Sequence, residues 1–276
     1  MIQLGLIGYP LGHSLSPKIH TAALKAVGLQ GNYSLFPIHP DDKQGLRDLL
    51  AHVRSGEIHG LNVTIPHKQN VIEFMEELTP TANVIGAVNT IYMRENKLIG
   101  DNTDAPGFLA DLKQVSNSSF TTPHSALVLG AGGSARAVVY ALCNDGWNVT
   151  LAARRIEQAQ QLSHSFGKYD LQLSTFDLQP ATFNLIVNTT PVGMTPNPDH
   201  SPLPENLSLP ANAFVYDLVY NPRETKLVRE ARAQGLNAST GLGMLIEQAI
   251  LAFEKWTGRI PPRDVLFDAV GATRPD

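Results

Sequence analysis

A single cysteine, Cys143, stands among 276 residues, so no intrachain disulfide can form and a small stapled scaffold is excluded. The chain also lacks any apolar run near the ~18 residues of a membrane-spanning helix. Met1 to Gly8 is apolar but too short for the charged and hydrophobic regions of a signal peptide, and a soluble cytoplasmic protein is expected. No charge of one sign dominates. Against 25 Asp and Glu there are 21 Lys and Arg, a net charge of -4 without long runs, which argues against nucleic acid and anionic membrane as partners. Nine histidines are scattered without the i, i+4 pairing or clustering of a metal site, so no metal is expected. Cys143 falls in a presumed helix and reads as a buried spectator.

What is present suits two domains, since 43% of the residues are hydrophobic and each domain can bury a core. The stretch Gly130-Ala131-Gly132-Gly133-Ser134-Ala135 follows the apolar run Ala126 to Leu129 and opens a helix-like segment, Ala135 to Leu142. Its spacing is that of a dinucleotide-binding turn with a small third member: one glycine for the turn, one for close approach of the phosphates, and alanine for packing of helix on sheet. Such a turn aims backbone N–H groups and the positive end of a helix at one spot, where a pyrophosphate can sit. The bland alternative is a glycine turn that is only structural. Beyond it the order is strand, helix, strand, with Asn148 to Ala153, Glu157 to Phe166, Leu171 to Phe176 and Asn184 to Asn188, as a Rossmann-like unit requires. Where its second strand ends, Arg154 and Arg155 suit a 2′-phosphate and favour NADP, while Glu157 keeps NAD open. Pro196 to Pro210 reads as a surface loop, Ala213 to Val219 as a strand, Thr225 to Gln234 as a helix, and Gly241 to Met244 as the opening of an apolar helix with Leu245, Ala249, Ala252 and Phe253 on its core face.

The first hundred residues alternate β and α independently of that turn: strands at Gln3 to Gly8, Asn32 to Ile38 and Gly60 to Ile65, a helix from Ser16-Pro17, and another over Asp41 to Ser55. Ser16 has helix-cap chemistry, whereas Ser14 lies earlier in the loop; two hydroxyls beside a helix start can also bind a carboxylate. Lys68 emerges past a strand end, where open α/β sheets bind ligands, although a surface lysine is the commoner case. Its neighbour His67 reads as solvated. Gln69 to Leu78 reads as a helix faced by Val71, Ile72 and Met75 and ended by Thr79-Pro80, and Thr90 enters a hairpin turning at Arg94 to Asn96. Asp104 is placed to cap a helix over Gly107 to Leu112. The polar, aperiodic segment Ser116 to Ser125, which contains Pro123, reads as a loop at the domain crossing.

Taken together, Ser14-Leu15-Ser16-Pro17, Asn62 to Lys68, Gly86 to Thr90, Asn102-Thr103-Asp104, the glycine turn, Asn188 to Met194, and Gly241 to Met244 with Gln248 resemble the shikimate dehydrogenase family in order and spacing, across residues 5 to 256. That resemblance implies an NADP-dependent oxidoreductase interconverting 3-dehydroshikimate and shikimate on the way to chorismate and the aromatic amino acids, as a monomer or homodimer. It implies an α/β chain of two domains about a deep cleft: a substrate domain over 1–104, completed by helices of 241–276, and a Rossmann-like NADP domain over 105–240. Carried over by position, Ser14 and Ser16 hold the substrate carboxylate, and Thr64, Asn89, Tyr220 and Gln248 contact the substrate with Asp104. Lys68 and Asp104 form the catalytic pair. Gly130, Ala131, Gly132, Gly133, Ser134, Arg154 and Arg155 bind the dinucleotide, and the Leu218 and Gly241 backbones meet its nicotinamide end.

The chain departs from the family after the second Rossmann strand. Many members have asparagine, arginine and a small hydroxyl residue there, then a second base three positions beyond that hydroxyl. Here Arg154 fits, Ala153 and Gln158 do not, and Arg155 stands where it can replace the missing base. A quinate/shikimate dehydrogenase that accepts NAD is the nearest rival, and a non-catalytic ligand-sensing module the rival from another class.

Overall fold

A computed structural model describes residues 1–116, 120, 124–175, 183–204 and 207–272. The chain forms two compact units, Met1–Thr103 with Ile246–Asp276, and Asp104–Leu245.

The first unit contains β1 (Ile2–Gly8), α1 (Ser16–Ala26), β2 (Gly31–Pro37), α2 (Lys43–Arg54), β3 (Gly60–Val63), a 3₁₀ turn at Asn70–Phe74, β4 (Glu77–Leu78), α3 (Pro80–Ile85), β5 (Thr90–Arg94) and β6 (Lys97–Asp101). Its sheet runs β2-β1-β3-β5-β6-β4, parallel from β2 to β3 and antiparallel through the β5–β6 hairpin. That hairpin turns on Glu95 and Asn96, both at positive φ (50° and 62°), the backbone twist a two-residue turn needs. Ile7, Leu49, Leu61, Val63, Val71 and Ile91 pack into one core.

The segment 69–78 does not form the expected helix. Glu76 N–H donates to Leu98 O at 3.0 Å and Glu77 pairs with Ile99, so pairing to β6 overrides the helical period, although Val71, Ile72 and Met75 still pack on the core. Thr79-Pro80 starts a helix rather than ending one: the Thr79 side chain accepts from Ala82 N–H, and Pro80 occupies the first turn of α3. Ser16 is not the cap of α1 either. Leu15 is, without a side-chain bond, and Ser14 Oγ accepts from Ser16 N–H at 3.2 Å.

The second unit contains α4 (Asp104–Val115), β7 (Ser125–Leu129), α5 (Gly133–Asn144), β8 (Asn148–Ala152), α6 (Ile156–Ser165), β9 (Gln172–Ser174), β10 (Leu185–Asn188), β11 (Phe214–Asp217), α7 (Lys226–Ala233) and β12 (Ala238–Thr240). All strands are parallel in the order β12-β11-β10-β7-β8-β9. This is the doubly wound order, whose direction reverses between β7 and β10. β10 and β11 are buried along their whole length, as strands covered on both faces are.

The boundary between units falls at Thr103/Asp104 rather than within Ser116–Ser125, and most of that expected loop lies outside the described residues. So does Phe176, the expected end of β9. The proline-rich segment has no regular element among its described residues, yet it is not all surface, because Leu203, Leu207 and Leu209 join the core with Val215 and Leu227. Cys143 is half-buried rather than buried, and burial pushes its thiol up to about 11, so it is protonated and unreactive at neutral pH.

α8 (Leu242–Thr257) and α9 (Arg263–Ala269) complete the chain. The buried face of α8 carries Ile246, Ala249, Ala252 and Phe253, with Leu245 only half-buried, because the helix begins three residues earlier than its apolar run suggests. Lys255 Nζ lies 2.8 Å from Asp101 Oδ2, and Asp101 Oδ1 accepts from Thr79 Oγ1 at 2.6 Å and Asn102 N–H at 2.7 Å. Burial pushes the Asp101 carboxyl up, but the ammonium and these donors outweigh it and hold it below its ordinary 3.8. A carboxylate with a depressed folded value contributes stability above 3.8 that is lost as pH falls. Lys255→Met, which leaves this carboxylate without its cation, is therefore expected to cost about 2–3 kcal/mol at pH 7. Urea denaturation across pH checks it: the gap to the natural protein should narrow as pH falls below the ordinary carboxylate value.

Candidate active site

In the first unit the expected site residues Ser14, Ser16, Thr64 and Lys68 lie beyond the C-terminal ends of β1 and β3. Sheet order reverses direction between those strands, and open α/β sheets bind ligands at such a place. Thr64 N–H donates to Ile7 O at 2.8 Å, holding the loop after β3 against β1, and a Cβ on Gly8 would meet Thr64 Cγ2 at 2.4 Å. Ser14 is half-buried in the loop after β1, and Ser16 is buried in the first turn of α1. Lys68 is half-buried in the turn after β3. Its carbonyl accepts from Val88 N–H at 2.7 Å, which ties that turn to Ala87–Asn89.

His67 is not solvated. It is 1% exposed, with Nε2 2.7 Å from Ile38 O, so it anchors the Lys68 turn to the end of β2. Nothing in its sequence context announces this, because the partner is a backbone carbonyl 29 residues away.

Asn89, 2% exposed, is bonded at both ends of its amide. Its amide donates to Thr103 Oγ1 at 2.9 Å and Gln248 Oε1 at 3.3 Å, and its Oδ1 accepts from Thr103 N–H at 2.7 Å. Gln248 thereby finds the partner its place on an apolar face demands. Behind them Tyr33 Oη donates to Asn62 Oδ1 at 2.8 Å, and Asn62 Nδ2 to Asn89 O at 3.4 Å. Four of the expected residues, Thr64, Lys68, Asn89 and Gln248, thus lie on segments bonded to one another.

In the second unit the glycine turn stands at the reversal between β7 and β10. Gly130 has φ +108°, and a Cβ there would meet Thr189 Oγ1 at 2.7 Å, so the turn admits only glycine. A Cβ on Gly132 would meet nothing within 4 Å, so the fold leaves open space over this residue. Gly132 also caps α5 with no side chain to offer, while first-turn N–H groups have no acceptor within a helix. Ala135 is fully buried where α5 packs on the sheet. Ala131, Gly133 and Ser134 complete the turn. Arg154 and Arg155 follow β8 with exposed side chains that make no hydrogen bond or ion pair to a described residue, while the Arg155 carbonyl accepts from Gln158 N–H at 3.1 Å at the start of α6.

Leu218 follows β11, and a Cβ on Gly241 would meet Leu218 O at 2.3 Å, so glycine there allows two backbones to touch. Tyr220 is half-buried, and burial pushes its phenol above the ordinary value. Asp104 is the first residue of α4 and so lies inside the helix rather than capping it; it is 4% exposed. Two turns along, Asp111 accepts from Tyr216 Oη at 2.5 Å, and a Cβ on Gly243 would overlap its carboxylate. The helix bearing Asp104 is therefore registered against β11 and the start of α8, contacts between residues too far apart in sequence to be read from it. Among the described residues no group of His, Cys, Asp and Glu is arranged to hold a metal, and no helix is long and apolar enough to cross a membrane.

Residues 6–91 match the family model of the shikimate dehydrogenase substrate binding domain, and residues 241–270 that of the shikimate 5′-dehydrogenase C-terminal domain. The shikimate dehydrogenase (NADP(+)) of Carboxydothermus hydrogenoformans is 41% identical over 272 residues, 97% of this chain and 95% of its own. The shikimate 5-dehydrogenase of Thermus thermophilus, solved in complex with NADP(H) and shikimate, is 39% identical and superposes with a TM-score of 0.87 over 98% of both chains. A quinate dehydrogenase of Corynebacterium glutamicum, solved with NAD, has the same TM-score and coverage at 31% identity. With relationship of this depth along its whole length, the chain belongs to the shikimate dehydrogenase family.

Proposed function

We propose that this protein is an NADP-dependent shikimate dehydrogenase, reversibly reducing 3-dehydroshikimate to shikimate on the route to chorismate and the aromatic amino acids. The observation that carries the reading is the full-length relationship to NADP-dependent shikimate dehydrogenases at 41% identity. The residues fit the dinucleotide: an uncapped helix start and the open space over Gly132 suit a pyrophosphate, and two unengaged guanidiniums after β8 suit a 2′-phosphate. When bound, the dinucleotide supplies or takes the hydride at C4 of its nicotinamide.

The chain's own groups do the rest. Ser14, Ser16 and the start of α1, which has no side-chain cap, receive the substrate carboxylate; the Ser14 oxygen accepts from Ser16 N–H while its hydroxyl proton donates to the carboxylate. Thr64, Asn89, Tyr220 and Gln248 receive the rest of the substrate. A ligand hydroxyl entering at Asn89 replaces its 3.3 Å bond to Gln248. Lys68 gives its proton to the carbonyl oxygen as hydride arrives and takes it back in the reverse direction. Asp104 orients Lys68 and bonds the same oxygen. Leu218 and Gly241 present backbone atoms to the nicotinamide end.

The protein works in the cytoplasm, where NADPH is regenerated, as a monomer or homodimer. Oxidation of shikimate and quinate with NADP and NAD tests the assignment. The shikimate–NADP pair should give the highest kcat/KM, and a preference for quinate with NAD would move the chain to the quinate branch of the family.

A further inference from the structure

Asp217, at the end of β11, is fully buried and has no ion pair with any described residue. A carboxylate in such a place is costly unless donors replace its water. Three do, each from a different piece of chain: Asn188 Nδ2 at 2.8 Å and Val219 N–H at 3.0 Å reach Oδ1, and Thr225 Oγ1 at 2.7 Å reaches Oδ2. Asn188 is equally buried and passes the constraint on. Its Oδ1 accepts from Thr190 N–H at 3.0 Å and Thr190 Oγ1 at 2.7 Å, and its Nδ2 also reaches Val192 O at 3.3 Å. The carboxylate therefore grips both loops that leave the adjacent ends of β10 and β11, namely Thr189–Met194 and Leu218–Tyr220, together with the start of α7.

We propose that Asp217 is the positioning residue for the nicotinamide end of the cofactor, holding the Leu218 backbone and the 189–194 loop in one fixed relation through Asn188. This rests on the reading of the chain as a dinucleotide-dependent dehydrogenase with Leu218 at the nicotinamide. A merely structural Asp217 is as consistent with burial, but not with a loss that falls mainly on the cofactor. Asparagine retains the two acceptor bonds of Oδ1 and can donate to Thr225 Oγ1, so it should rescue. Alanine leaves three buried donors unanswered and lets both loops seek other partners.

The test is titration of the purified full-length protein with NADPH and, separately, with shikimate alone. For Asp217→Ala the NADPH Kd should rise about tenfold or more, as loss of well-made buried hydrogen bonds implies. The shikimate Kd should rise by no more than about threefold, since Tyr220 is the one substrate contact on the freed loop, and Asp217→Asn should bind NADPH within about threefold of the natural protein. If Asp217→Ala does not fold, Asn188→Ala, which cuts the same bridge from the other loop, should show the same selective loss. Unchanged NADPH binding in a folded Asp217→Ala or Asn188→Ala protein, or equal loss of both ligands, overturns the proposal. Failure of the natural protein itself to bind NADPH is a different result and defeats the dehydrogenase reading.

Discussion

Lys68→Ala lowers kcat by about 10² to 10⁴-fold, the usual contribution of a positioned acid–base group, and changes the KM for shikimate only a few-fold. The size of the split follows from what holds this residue. The carbonyl of Lys68 is fixed by Val88 N–H, and the preceding His67 is anchored to Ile38 O, so the backbone of the turn keeps its shape without the lysine side chain. Truncation then removes the proton donor while the turn keeps its backbone bonds. Binding is spread over Ser14, Ser16, Thr64, Asn89, Tyr220 and Gln248, whose contacts exist in ground and transition state alike. Steady-state kinetics with a melting curve as control decides the matter. An unchanged kcat removes Lys68 from the chemistry, and a lowered melting temperature with proportionate loss of activity assigns it to folding.

The double variant Arg154→Ala, Arg155→Ala loses about 10²-fold in kcat/KM for NADP and little for NAD. Each charge-assisted bond to a phosphate is worth about 1.5–3 kcal/mol, and exposure of both guanidiniums puts them at the low end of that range. Two such contacts amount to about 3 kcal/mol, or about a hundredfold. Neither guanidinium bonds a described residue, and the bond of Arg155 O to Gln158 N–H survives truncation, so the melting temperature should stay where it was. Kinetics with both cofactors separate the outcomes: equal losses for NADP and NAD mean the arginines do not read the 2′-phosphate. The departure at Ala153 does not weaken this expectation, since Ala153 is 3% exposed and belongs to the packing of the strand end.

The course of the chain was legible wherever a signal is local. Alternation and glycine located β1, β7 and β8 to within a residue or two, and the hairpin turn at Arg94 to Asn96. The glycine turn could be assigned in detail because its demands are backbone demands: positive φ at Gly130, space at Gly132, a small packed residue at Ala135. Local signals failed where a distant partner outbid them. The apolar spacing of 69–78 is helical, yet only a 3₁₀ turn forms over Asn70–Phe74, and β6 takes Glu77–Leu78 into the sheet. His67 looked like a polar residue in a turn until a carbonyl from β2's end claimed it. Ser16 had a cap's sequence position, but the chain entered α1 one residue earlier, leaving Ser14 to accept its N–H.

By itself, then, the sequence determined the class of chemistry and put forward residues for it, because a dinucleotide turn, a lysine past a strand end and two serines at a helix start carry their physics in near neighbours. Only the tertiary structure decided how those residues are held. Asn89 with Thr103 and Gln248, Asp111 with Tyr216 and Gly243, and Asp217 with Asn188 and Thr225 are hydrogen-bonded or packed sets in buried surroundings. Most of their members lie tens of residues apart, and a buried polar group is fixed by whichever partner the fold brings to it rather than by its place in the chain.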